Sequence, residues 1–133
     1  MINILLVDDD PAVRRGLRMR LAAEPDLNLV GEAADGLTAI ALAEALRPDV
    51  ALIDVELPLM DGIAVAERLR GLCPRPAVIM LTLRDDADTR ERACAAGVSA
   101  FVAKRGIPDE LIAAIRQAVR PPAAAPPMDR TEL

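Results

Sequence analysis

Short apolar runs alternate along the chain with longer stretches of helical period. The first run, Ile2–Val7, is interrupted only by Asn3; Leu27–Val30, Val50–Ile53, Ala77–Leu81 and Ala100–Ala103 follow it. Runs of this length without polar alternation suit strands buried on both faces of a parallel sheet. Between them lie amphipathic segments. Val13, Leu17 and Leu21 mark one stripe, with Asp10 as N-cap and Pro11 at the first helical position. Ile40, Ala43 and Leu46 mark a second, opened by Asp35–Gly36 and stopped by Pro48, and Ile63, Ala66 and Leu69 mark a third. Asp86–Ala96 reads as a fourth helix with few large apolar residues, closed by Gly97; Leu111, Ile115 and Val119 mark a fifth, with Pro108 near its start. Strands and helices in this alternation predict an α/β fold on a parallel sheet.

After Arg120 the composition changes. The run from Pro121 to Pro127 contains only proline and alanine, which stops a helix and favours extended polyproline backbone. The expected organisation is therefore one domain over residues 1–120, followed at 121–133 by a Pro/Ala-rich tail or interdomain linker. A length of 133 residues fits a single domain, and 53% apolar with 28% charged residues supports a packed core.

Charge and missing residue types then narrow the chemistry. A formal net charge of −5 makes the chain by itself a poor binder of nucleic acid or of anionic membranes. Histidine is absent, which removes Ser–His and Cys–His catalysis, His-ligated zinc and a phosphohistidine relay on this chain. Trp and Tyr are absent and Phe occurs once, leaving no stacking platform for bases, sugars or flavin rings. Cys73 and Cys94 form no CxxC pair and are expected as buried thiols in a reducing cytosol. The first ten residues show no signal-peptide pattern, and no apolar stretch approaches the roughly 20 residues that span a bilayer. The expectation is a soluble, cytoplasmic protein.

In an open parallel sheet, ligands bind beyond the carboxyl ends of the strands. The first apolar run ends in Asp8-Asp9-Asp10, the third in Asp54, the fourth in Thr82 and the fifth in Lys104; the second, followed by Gly31-Glu32-Ala33, has no comparable cluster. Carboxylates brought together repel unless a cation joins them. Oxygen ligands without histidine favour hard Mg²⁺ over zinc. Mg²⁺ keeps waters and binds phosphoryl oxygens, and a lysine and a threonine supply the charge and hydrogen bond a phosphoryl group needs. One carboxylate can itself be the acceptor, since aspartate acts as a nucleophile.

Taken jointly, Leu5-Leu6-Val7-Asp8-Asp9-Asp10-Pro11, Asp49–Asp54, Leu57-Pro58-Leu59-Met60-Asp61-Gly62, Leu81-Thr82 and Ala96–Lys104 resemble, in order and spacing, the response-regulator receiver family of CheY-like phosphoacceptor domains. The resemblance covers about residues 2–120. It implies a flavodoxin-like (βα)₅ three-layer sandwich with strand order 2-1-3-4-5. It implies Asp54 as the phosphorylated aspartate. Asp9 is then the direct Mg²⁺ ligand, with Asp8 reaching the ion mainly through water and Glu56 offering its backbone carbonyl. Thr82 matches the hydroxyl that follows the phosphoryl group, Lys104 its pairing cation and Phe101 the aromatic switch position. The implied donor is the phosphohistidine of a sensor histidine kinase, and the implied response is a changed surface around the fourth and fifth helices, able to form a homodimer.

Two departures stand out. Arg105 follows the lysine where many receivers have proline, and Leu83 follows Thr82 where many have a small residue. Leu-Thr-Leu and Lys-Arg look more like the subfamily with a LuxR-type helix-turn-helix output, hence transcription regulation, through a domain outside these residues. Glu56 and Arg84 are expected to pair across the mouth of the site, with Leu83 as an apolar wall. Arg14, Arg15, Arg18 and Arg20 form a basic cluster on the first helix, either a solvated face or a docking surface for the kinase. The competing enzyme reading is an Mg²⁺-dependent phosphatase or phosphotransferase with an aspartyl-phosphate intermediate. It would want a second acidic Asp two residues after the nucleophile, where this chain has Glu56, and a cap domain.

Overall fold

Residues 1–83, 86–104 and 108–119 are described by a computed structural model. Ten elements alternate along the chain: β1 (Ile2–Val7), α1 (Pro11–Ala22), β2 (Leu27–Ala33), α2 (Gly36–Leu46), β3 (Val50–Asp54), α3 (Gly62–Leu69), β4 (Ala77–Thr82), α4 (Ala87–Ala95), β5 (Ala100–Ala103) and α5 (Pro108–Val119). The strands pair in parallel in the order β2-β1-β3-β4-β5. The flavodoxin-like arrangement expected from the sequence is thus the one observed.

Side chains of a strand alternate between the two faces of the sheet. Leu5, Val7, Ala51, Ile53, Val78 and Met80 pack on one face with α2, α3 and Ala93 of α4. Ile4, Leu6, Val50, Leu52, Ile79 and Leu81 pack on the other with Leu21 of α1 and Leu111, Ile112 and Ile115 of α5. Three layers result. The central strands β1, β3 and β4 are almost wholly buried, which is why they read as unbroken apolar runs.

Helix starts follow local chemistry. Asp10, Asp35, Asp61 and Asp86 each accept a backbone N–H from the first turn of α1, α2, α3 and α4. Pro11 sits in the first turn of α1, where no N–H is needed. Beyond α4, Gly97 takes φ +85°, and a Cβ there would lie 3.3 Å from the Arg70 side chain.

The edge strand departs from expectation. The apolar run stops at Val30, yet β2 continues through Gly31 and Glu32 to Ala33. Pairing with β1 skips a residue there: Ile4 opposes Leu29 and Leu5 opposes Gly31. Edge position tolerates the polar residues, and Gly31 leaves room where a Cβ would come within 2.9 Å of Leu46. The cysteines also correct the sequence reading. Both are exposed, Cys94 on the outer side of α4 and Cys73 in the connection after α3, where little packs. Among the described residues no helix is long and apolar enough to cross a membrane. Arg105 and the proline-rich stretch at 121–133 lie outside the described residues.

One polar hub ties α5 to the opposite end of the chain. Arg116 donates to Asp26 at 2.8 and 2.9 Å and to Glu24 at 2.6 Å, while Arg20 bonds both Glu24 and Asp109. Hydrogen bonds from Arg20 and Arg116 hold the Glu24 carboxyl below its ordinary 4.5, and Arg116 does the same for Asp26 below 3.8. A depressed folded-state pKa gives stability that is present above the unfolded value and lost as pH falls through the folded one. Arg116→Gln should therefore lower the urea midpoint at neutral pH and flatten its fall below about pH 4.5. A midpoint series from pH 7 to pH 2 checks this; an unchanged acid limb would rule the hub out.

Candidate functional site

The sheet order sets the site. β1 and β3 are neighbours, and so are β3 and β4, so the groups after these strands meet at one carboxyl edge. Asp8 follows β1, Asp54 ends β3, Thr82 ends β4 and Lys104 follows β5. Asp8 is fully buried, and Asp54 and Thr82 are each 4% exposed. The Lys104 ammonium lies 2.9 Å from Asp8 Oδ2 and 3.1 Å from Asp54 Oδ2. Its own backbone N–H donates to the Thr82 carbonyl at 2.6 Å, which anchors the lysine beside β4.

The three acids after β1 divide their work. Asp10 caps α1. Asp8 Oδ1 accepts the Asp10 N–H at 2.9 Å, while Asp8 Oδ2 is buried without a hydrogen bond, the ammonium approaching it outside hydrogen-bond geometry. Asp9 is exposed, and a carboxylate oxygen of Asp9 falls with those of Asp8 and Asp54 inside a span of 4.8 Å. Asp54 Oδ1 accepts the Glu56 N–H at 3.1 Å and Oδ2 the Lys104 ammonium.

Burial pushes the Asp54 carboxyl up, against hydrogen bonds from Lys104 and the Glu56 N–H, and the Asp8 charge adds to the rise. Burial pulls Lys104 down, but its pairing with Asp8 and Asp54 prevails and raises it, so the ammonium stays charged. Three carboxylates against one ammonium leave two negative charges uncompensated. Oxygen donors alone, a buried oxygen lacking a donor and that deficit together fit a hard divalent cation such as Mg²⁺.

The loop between β3 and α3 folds closely over Asp54. A Cβ on Gly62 would lie 2.1 Å from the Asp54 carbonyl oxygen, so only glycine fits. The Gly62 N–H donates to the Val55 carbonyl at 2.8 Å and closes the loop. Leu59 pays for that closure with φ 69°, in the left-handed region, and with 95% exposure. Alongside runs a cleft of about 330 Å³ whose walls include Val55, Glu56, Thr82, Asp86 and Arg92.

Of the residues singled out in the sequence, Asp8, Asp9, Asp54, Thr82 and Lys104 lie at this edge. Glu56 enters through its backbone N–H, with an exposed side chain. Leu83 is exposed; Arg84, its partner in the expected gate, lies outside the described residues. Phe101 sits on β5, half-buried, with the Arg90 guanidinium 4.8 Å from its ring centre. The basic cluster of α1 resolves into pairs. Arg14 and Arg18 both meet Glu32, and Arg20 meets Glu24 and Asp109, while Arg15 faces outward. Sequence reasoning missed Glu32 and the role of Arg14, because the apolar run of β2 ends before Glu32.

A model of the response regulator receiver domain matches residues 4–116. The chain belongs to the response regulator receiver family. An uncharacterized transcriptional regulatory protein of Bacillus subtilis, YxjL, is 39% identical over 119 residues, covering 90% of this chain and 55% of that protein. The nitrate/nitrite response regulator NarL of Escherichia coli K12 is 32% identical over 116 residues, covering 87% of this chain and 54% of its own length. The receiver thus spans about half the length of these curated relatives. Among solved structures, the signal receiver domain of the putative response regulator NarL from Mycobacterium tuberculosis superposes with a TM-score of 0.85 at 31% identity, covering 89% of this chain and 95% of that one.

The loop over Asp54 gives two substitutions of opposite sign. Gly62→Ala should destabilise this receiver by about 1–3 kcal/mol, because its methyl meets backbone. Leu59→Gly should stabilise it by about 1 kcal/mol, because the left-handed strain disappears and no packing is lost. Urea denaturation of both variants reads the two signs.

Proposed function

We propose that this receiver accepts a phosphoryl group on Asp54 and signals by the change that follows. The observation that carries this reading is the Lys104 ammonium held between the buried carboxylates of Asp8 and Asp54 at 2.9 and 3.1 Å. Family membership favours it over a metabolic phosphatase or phosphotransferase. An ionised Asp54 oxygen attacks the phosphorus of a phosphohistidine on a sensor histidine kinase. The P–N bond breaks, an O–P bond forms, and the imidazole leaves as the proton-bearing group. Asp54 is suited because burial strips it of water while Lys104 and the Glu56 N–H hold it in place.

Asp9, Asp8 and Asp54, with the Glu56 carbonyl, would hold Mg²⁺, which supplies charge that offsets the phosphoryl oxygens and the clustered carboxylates. Lys104 pairs with one phosphoryl oxygen and Thr82, at the end of β4, donates its hydroxyl to another. Movement of Thr82 then reaches Phe101, which packs against the core with the Arg90 guanidinium of α4 over its ring. The changed α4–β5–α5 surface is what an output domain or a second copy would read, and the transcriptional relatives support an output in gene control. Such a protein works in the cytoplasm.

Two measurements test the reading. Incubation with acetyl phosphate and Mg²⁺ should add one phosphoryl group by intact mass, and Asp54→Asn should gain none. Millimolar Mg²⁺ should raise the melting temperature, and Asp9→Ala should lose most of that rise. A mass gain in Asp54→Asn equal to wild type would remove Asp54 as the acceptor, and no thermal response in the wild type would remove the metal assignment.

A further inference from the structure

Arg14 is the arginine of α1 that turns inward toward the site. Its Nη1 donates to the Asp8 backbone carbonyl at 2.6 Å, and its Nε lies 3.4 Å from Glu32 Oε1. Glu32 Oε2 is taken by Arg18 at 3.0 Å. The carbonyl that Arg14 holds belongs to the peptide linking Asp8 to Asp9. Every other polar group of Asp8 is also fixed. Its N–H donates to the Ala33 carbonyl at 3.0 Å, Oδ1 takes the Asp10 N–H, and Oδ2 lies against Lys104. Asp9 is different: among the described residues no hydrogen bond or ion pair holds its carboxylate. The direction of that carboxylate is set by its own side-chain torsions and by the plane of the Asp8–Asp9 peptide, whose carbonyl is held by Arg14.

We propose that Arg14, held by Glu32, is a positioning residue that sets the Mg²⁺ affinity of the site by locking the Asp8–Asp9 peptide. This rests on the metal site argued above. Glu32 serves both Arg14 and Arg18 and offsets only part of their charge, so the distinctive contribution of Arg14 is the oriented hydrogen bond to the Asp8 carbonyl. Groups that orient metal ligands from behind typically change affinity by ten- to a hundredfold when removed. The alternative physical effect has the opposite sign. If Arg14 acted only as a cation near three carboxylates, removing it would tighten Mg²⁺ binding.

Calorimetric titration of Mg²⁺ into wild type, Arg14→Met and Arg14→Lys separates the two. Locking predicts affinity lower by about tenfold or more in Arg14→Met, which keeps the stem and loses the donors. Arg14→Lys keeps the charge without the Nη1–Nε fork, should lose affinity by a smaller factor, and serves if Arg14→Met does not fold. The rate of phosphorylation by acetyl phosphate should fall in the variants at limiting Mg²⁺ and return toward wild type at saturating Mg²⁺, a split that general loss of stability would not give. Unchanged or tighter Mg²⁺ binding in whichever variant folds overturns the proposal. A wild type that neither binds Mg²⁺ nor gains a phosphoryl group would instead overturn the reading on which it rests.

Discussion

The functional edge of this molecule is organised by electrostatic repulsion that the fold forces into being and one ammonium restrains. Parallel β1 and β3 lie side by side, so Asp8 and Asp54 end up buried next to one another whatever their charges prefer. Two ionised carboxylates removed from water are costly alone, and removing one partner from a buried ionic group typically costs about 3–5 kcal/mol. Lys104 reaches them from the edge strand, across the end of β4, and can do so because its backbone is tied to Thr82. The lysine compensates only part of the charge. That remainder is a chemical resource, since it fits the edge to hold a divalent cation.

What was legible in the sequence is what is local. The buried strands betray themselves because β1, β3 and β4 have no solvent face to mark with polar residues. Asp10, Asp35 and Asp86 announce helix starts because the capping bond closes within three residues. The strand-end groups could be found because the parallel topology fixes which end of each strand they occupy. What escaped depends on contacts across the sheet. Glu32 looks like the end of an apolar run, and becomes part of the site's support only when β2 lies beside β1 and Arg14 turns toward it. Arg116 bonds Glu24 across 92 residues, a pairing no periodicity reveals. The cysteines were misjudged because burial tendencies are averages over cores, and α4 barely enters the core.

That weak entry of α4 has consequences for how a change at Asp54 would travel. α5 buries Leu111, Ile112 and Ile115, whereas α4 buries only Ala93. Several further ties are polar. Arg92 reaches Asp61 at 3.4 Å, Arg70 donates to the Ala95 carbonyl at 2.9 Å, and Arg90 sits over Phe101. Exposed pairs of this kind contribute about 0–1 kcal/mol each. An element held by a small apolar foothold and several weak straps can shift at low free-energy cost. Within its layer, α4 is thus the loosely held helix beside the well-buried α2 and α3.

The acidic edge is braced from behind by Arg14, Glu32 and Arg18. A bare cation placed near Asp8 would relieve repulsion among the carboxylates and also compete with the metal they are to bind. Arg14 eases the conflict because Glu32, shared with Arg18, offsets part of its charge while its guanidinium still donates to the Asp8 carbonyl at 2.6 Å. Lys104 stands on the other side of the cluster, uncancelled except by the acids themselves, where a phosphoryl oxygen would need it. Two basic residues in contact with one aspartate, Arg14 at its carbonyl and Lys104 at its carboxylate, therefore do unlike things. The difference lies in what sits behind each of them: a glutamate on β2 in one case, and the end of β4 in the other.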